Sequence, residues 1–236
     1  MVSLVKKNLK SIAHNVINLE IQALKSLKKS LNKNFEKAVN EIINCKSKII
    51  LCGVGKSGLI ASKIASTMSS VGSPAFSLSA NDCLHGDLGS ISKKDLLILI
   101  SNSGKSQELL PIIKFANRNK IKLIGIVSRK DSSLYRGADI RILLPEVKEA
   151  GLDIVPTSST SVQLAIGDAL AIAALNKKKF SKYNYSKLHP AGEIGKQLKT
   201  VEELMVTKNK IPFINENKNI INAIKIITSK KLGVLI

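Results

Sequence analysis

The sequence predicts an α/β fold, a doubly wound and mostly parallel sheet with helices on both faces. Four short apolar runs, Lys48–Cys52 (KIILC), Asp95–Ile100 (DLLILI), Lys122–Val127 (KLIGIV) and Ile140–Leu144 (IRILL), read as buried strands. Helical segments alternate with them. Two of the runs end in loops rich in glycine and serine, Gly53–Gly58 (GVGKSG) and Ser101–Ser106 (SNSGKS). Strands apolar on both sides, alternating with helices, require a sheet covered on both faces, and such sheets take ligands beyond the carboxyl ends of their strands.

In chain order, residues 2–44 read as one or two amphipathic helices, with Leu4, Ile12, Val16, Leu19, Leu24, Leu27 and Leu31 at helical spacing. KIILC and its loop lead into the helical LIASKIASTMSSVG. DLLILI and its loop lead into QELLPIIKFANRNK. After the strands KLIGIV and IRILL, residues 158–177 form a long, Ala-rich apolar helix. Residues 181–199 are polar, contain Pro190 and Gly192, and read as a linker. From Val201 the pattern restarts with VEELM, the strand-like IPFI, the helical NIINAIKIITSKK and the strand-like LGVLI, inside which the chain stops. A domain ending on an unpaired strand is expected to be incomplete.

Composition narrows the function. The 236 residues include 37 Lys+Arg and 17 Asp+Glu, a formal net charge of +20, with 44% hydrophobic residues and only 3% aromatic. That hydrophobic share excludes wholesale disorder. No stretch approaches the ~20 consecutive apolar residues of a membrane span, and the N-terminus lacks the pattern of a signal peptide. The basic residues are spread out and few aromatics accompany them, so nucleic acid is not an expected partner. Lys, Asn and Ile have AT-rich codons, which accounts for the charge without a functional demand, although a positive field would still draw in an anionic small substrate. Cys45, Cys52 and Cys83 form no CxxC and no disulfide framework, which implies a reducing cytoplasm.

The loops suggest a phosphate. Ser101–Ser106 joins a buried strand to a helix start, where backbone N–H groups and the hydroxyls of Ser101, Ser103 and Ser106 make a neutral cradle, and Gly104 lets the backbone come close. Thr157–Thr160, with Ser158, Ser159 and Thr160, offers the same physics at the start of the Ala-rich helix. GVGKSG has neither the P-loop spacing nor the third glycine of a dinucleotide motif. It reads as a tight turn at Gly55 and Ser57 whose Lys56 reaches an anionic ligand.

Seven motifs, GVGKSG, LHGDLG (84–89), SNSGKS, KEA (148–150), PTSST (156–160), GDAL (167–170) and HPAG (189–192), stand in the order found in arabinose-5-phosphate isomerases. The chain resembles this family over most of residues 10–200. The resemblance implies a SIS-type sheet of five strands followed by CBS domains. The expected division is an N-terminal helical segment at 1–34, a SIS domain at 35–180, a linker carrying HPAG at 181–200 and an incomplete first CBS domain at 201–236. It implies interconversion of D-ribulose 5-phosphate and D-arabinose 5-phosphate through an enediol, leading into Kdo and lipopolysaccharide synthesis, in a cytoplasmic homotetramer. Lys56, Glu108, Glu149 and His189 match the family's catalytic positions, and Gly55, Ser57, Gly72, Ser73 and His85 join the loop hydroxyls as substrate contacts. Isomerisation needs a base and a group that polarises the carbonyl. Glu108 and Glu149 both remain open as the base, with Glu149 preferred.

Two positions depart from the family. Ser79 stands where relatives commonly carry a zinc-holding histidine, and Gly151 where they often carry cysteine. Cys83, His85 and Asp87 make no zinc site by spacing, so neither metal nor cofactor is expected. The rival functions are a sugar-phosphate-binding regulator, an isomerase of another sugar phosphate and an inactive copy. A half CBS module is expected to bind no adenine nucleotide.

Overall fold

Five parallel strands, β1 (Ile49–Gly53), β2 (Ala75–Ser79), β3 (Leu96–Ile100), β4 (Lys122–Val127) and β5 (Ile140–Leu143), form one sheet in the order β2-β1-β3-β4-β5. The computed structural model describes residues 8–189 and 201–236. The chain starts at β1, adds β2 on one side and then crosses to β3 on the other. The loops after β1 and β3 therefore diverge at the switch point, where a doubly wound sheet opens a crevice.

β1 and β3 are buried at every position because both faces are covered. Alternate residues enter different cores. Ile49, Leu51, Ile98 and Ile100 lie on one side, and Ile50, Cys52, Leu97 and Leu99 on the other. The first core is closed by α1 (Leu9–Ser30), α2 (Lys33–Asn44), α3 (Lys56–Ser70) and, later in the chain, α7 (Ser158–Lys177). The second is closed by α4 (Ala80–Cys83), α5 (Leu109–Arg118) and α6 (Ser133–Gly137). A short α8 (Lys182–Leu188) follows α7.

The N-terminal amphipathic stretch is two helices. Leu31 is extended, and the Asn32 side chain accepts from the Asn34 N–H to start α2. α7 packs on α1, α2 and α3 through Val162, Ile166, Leu170 and Ala174. It is long and apolar enough to cross a membrane, but half of that stretch is buried inside the domain, as in a core helix.

At the end of the sheet opposite the loops, Asp95 is buried and accepts from Lys48 Nζ at 3.0 Å and the Ser92 N–H at 2.7 Å. Burial alone would raise its pKa, but hydrogen bonds from Ser47, Ser92 and Lys48 win and hold it at about 2. A carboxyl depressed in the fold adds stability above its unfolded pKa and loses it as pH falls toward the folded value. The wild type should therefore lose roughly 2 kcal/mol between about pH 4 and pH 2 that Asp95→Asn does not lose, read by denaturant unfolding at each pH. Equal acid sensitivity in both proteins would remove this assignment.

The cysteines are free. Burial pushes the Cys52 thiol up to about 12 and raises that of Cys83, which leaves both unreactive.

The described residues divide into two units, one ending at Leu188 and the next beginning at His189. The second contains α9 (Val201–Leu204) and α10 (Ile220–Lys230), with the Asn219 side chain capping α10. IPFI and LGVLI do not form regular strands. The Ile214 N–H donates to the Ile236 carbonyl and the Ile236 N–H to that of Pro212, a contact too short for a ladder.

Candidate active site

The switch-point crevice is an open pocket of about 420 Å³. Lys56 and Ser57 reach it from the start of α3, Asn102 from the loop after β3, and Glu149 from the segment after β5. Ser159 and Thr160 come from the first turn of α7. Parallel topology gathers these four segments, because every one of them follows a strand or opens a helix at the same end of the sheet.

Glu149 is the most constrained of these groups. Its Oε2 accepts from the Thr157 N–H at 2.8 Å, the Thr157 hydroxyl at 3.2 Å and the Ser159 N–H at 3.3 Å. The carboxylate thus sits on the exposed amides at the start of α7, where the helix dipole favours an anion. Burial would raise its pKa, but bonds from Ser159 and Thr157 outweigh burial and hold it below the usual glutamate value. The backbone is fixed as well. The Glu149 N–H donates to Asp153 Oδ1 at 2.7 Å, and the Ala150 N–H to Thr157 Oγ1 at 3.0 Å. Asp153 belongs to a left-handed turn, Gly151–Ile154, in which Gly151, Leu152 and Asp153 all have positive φ. A side chain costs roughly 1–2 kcal/mol in that conformation, so contacts such as the Asp153 bond must hold the turn in place.

The Ser101–Ser106 loop lies beside the pocket and is organised from within. Ser101 Oγ accepts from the Gly104 N–H at 3.0 Å and lies 3.1 Å from Ser106 Oγ. Ser103 Oγ accepts from the Lys105 N–H at 3.3 Å. Asn102 Oδ1 accepts from Ser128 Oγ, which ties the loop to the end of β4. Lys105 pairs with Asp131 at 2.6 Å rather than serving the pocket, whose cation is Lys56.

Not every expected contact converges here. Gly55 borders a neighbouring cleft of about 290 Å³ with Ser79. Glu108 is the half-buried residue before α5 and does not line the pocket, and His85 is exposed in the turn after α4. Gly72 and Ser73 lie at the opposite end of the sheet, ahead of β2. There the Gly72 carbonyl and Ser73 Oγ accept from Lys178 Nζ at 3.2 and 2.9 Å, and Ser73 is 1% exposed. Within one chain these two are structural. His189 belongs to the second unit, and the rest of HPAG lies outside the described residues. Among the described residues no group of His, Cys, Asp or Glu is arranged to hold a metal.

Asn102, Asp153 and Gln163 also line the pocket, although sequence reasoning does not single them out. Asn102 stands inside SNSGKS. Gln163 had a signal, a lone amide on the buried stripe of an apolar helix. Asp153 had none, because its position depends on the left-handed turn.

Comparison with known proteins gives this arrangement its class. A family model for the SIS domain matches residues 41–173. A solved structure of c3406 from E. coli CFT073, in complex with arabinose 5-phosphate, superposes with a TM-score of 0.71 at 33% identity and covers 78% of this chain and 100% of that one. The fold is that of a SIS-type sugar-phosphate isomerase. Arabinose 5-phosphate isomerase KdsD of Francisella tularensis is 42% identical over 226 residues, spanning 94% of this chain and 69% of that protein. KdsD of Escherichia coli K12 is 37% identical over 223 residues, spanning 94% and 68%. The chain belongs to the arabinose 5-phosphate isomerase family of SIS proteins.

Proposed function

We propose that this protein interconverts D-ribulose 5-phosphate and D-arabinose 5-phosphate. The observation that carries this reading is an ionised, immobilised Glu149 sharing one pocket with Lys56. In the ketose direction Glu149 takes a proton from C1, and the electron pair left behind forms the C1–C2 double bond of an enediolate. Lys56 offsets the charge growing on the carbonyl oxygen. The proton returns to C2 while the proton of the C1 hydroxyl passes to the oxygen on C2, leaving an aldehyde at C1 and a hydroxyl at C2. The face of C2 that receives the proton decides between arabinose and ribose. The hydroxyls and amides of Ser101–Ser106 hold the phosphate. No metal is needed, because the enediolate charge is met by a lysine.

In this reading His189 is a catalytic residue, His85, Gly72 and Ser73 are substrate contacts, and the chain assembles as a homotetramer. Residues 201–236 are the start of a first CBS domain. The product feeds Kdo and lipopolysaccharide synthesis in the cytoplasm. An assay of the purified chain with pentose and hexose phosphates tests the substrate. Turnover is expected for the ribulose and arabinose 5-phosphate pair, and turnover of a hexose phosphate alone would overturn the assignment.

A further inference from the structure

We propose that Gln163 is a specificity-determining residue of this pocket, its amide oxygen accepting a hydrogen bond from a hydroxyl of the bound sugar. The inference rests on reading the pocket as a sugar-phosphate site. Gln163 lies on the buried stripe of α7 and is 1% exposed, yet it forms part of the pocket wall with Glu149, Ser159 and Thr160. Its neighbours on the stripe, Val162, Ile166 and Leu170, are apolar, and an apolar side chain would suit packing equally well. Instead the position carries a buried oxygen, Oε1, with no hydrogen-bond partner among the described residues. Ser158 Oγ, in the first turn of the same helix, is in the same state.

An unpaired buried acceptor costs about 1–3 kcal/mol. Such a cost is tolerated where a ligand relieves it. The last torsion of a glutamine is soft, so the amide can turn its oxygen into the pocket without moving α7. An acceptor selects a donor, and of the groups on an ionised sugar phosphate only the hydroxyls donate. Through Oε1, Gln163 therefore reads the carbon chain, not the phosphate. A site built to bond a hydroxyl rejects analogues that lack it far more strongly than an apolar wall does.

The test is Gln163→Met, which keeps the length and removes both polar atoms. Expected are a melting temperature equal to or above that of the wild type, kcat/KM for arabinose 5-phosphate lower by roughly 10- to 100-fold, and unchanged inhibition by inorganic phosphate. Unchanged kcat/KM with a raised melting temperature would overturn the inference and leave the isomerase reading intact. A fall in phosphate affinity parallel to the fall in kcat/KM would assign Gln163 to packing and also overturn it. A wild type that turns over no sugar phosphate would remove the reading and the inference together. Monodeoxy pentose phosphates tested on the wild type need no variant to fold. One deoxy position should lose at least as much as Gln163→Met, and a flat series would overturn the inference.

Discussion

Glu149→Gln is expected to lower kcat by roughly 10²–10⁴ with a smaller change in KM. Glutamine retains an oxygen for the amides of Thr157 and Ser159, so the start of α7 stays covered and the fold persists. What disappears is the capacity to take a proton. Glu108→Gln serves as the comparison, since Glu108 does not line the pocket. Full activity in Glu149→Gln together with a large loss in Glu108→Gln would move the base to the start of α5. The pH profile carries a second check. Because the carboxyl of Glu149 is held below its ordinary value of 4.5, it is ionised throughout the neutral range. Activity that depends on it is lost only as pH falls below that value. An acid limb of kcat/KM near neutrality would belong to another group.

Gly104→Ala should be the most damaging small change in the Ser101–Ser106 loop. Gly104 has a φ of +64°, and a Cβ there would stand 2.7 Å from the Cβ of Ser132 and closer still to its hydroxyl. Ser132 has little room to retreat. Its hydroxyl donates to the Arg129 carbonyl and accepts from the Tyr135 N–H, capping α6. Left-handed strain of roughly 1–2 kcal/mol and overpacking of roughly 1–3 kcal/mol together predict a fall in melting temperature on the order of 10 °C. KM for the sugar phosphate should rise as well, because the loop moves. Gly55→Ala isolates the strain. Gly55 has a φ of +56° and a ψ of −126°, backbone that side chains rarely adopt, but open space where a Cβ would go, so its loss should come from strain alone, about 1–3 kcal/mol. Thermal unfolding of the two variants side by side decides the matter, and equal losses would mean that Ser132 yields.

Three of the four strands legible in the sequence are inner strands covered on both faces. KIILC, DLLILI and KLIGIV are apolar along their buried lengths because nothing polar can be placed there, whereas IRILL is the edge strand β5, legible through buried Ile140 and Ile142 with Arg141 exposed between them. β2, with the sequence AFSLS, gives no such signal. It is an edge strand, only half-buried for most of its length, and needs no apolar run. The start of α7 at Ser158 is visible in its hydroxyls, but the partner of that helix start is not. A loop charge in PEVKEAG and a carboxylate seated on helix amides look alike until the chain after β5 folds back through its left-handed turn. Lys56 and Ser159 can be placed at one end of a parallel sheet from their motifs alone. Gly72 and Ser73 follow α3 and precede β2, which topology assigns to the other end of the sheet.

The fastening of Glu149 also governs how this stretch of sequence can drift. Aspartate would preserve the charge but stop one methylene short of the amides at the start of α7, so reach matters at this position as much as ionisation. To compensate, the backbone after β5 would have to move inward, and there it meets the turn at Gly151–Ile154, whose Asp153 holds the Glu149 amide. Neither element can be altered in single steps without loosening the other. Lineages that retain the chemistry should therefore inherit the glutamate and the shape of the turn as one unit, even where Leu152, which is largely exposed and does not line the pocket, varies freely.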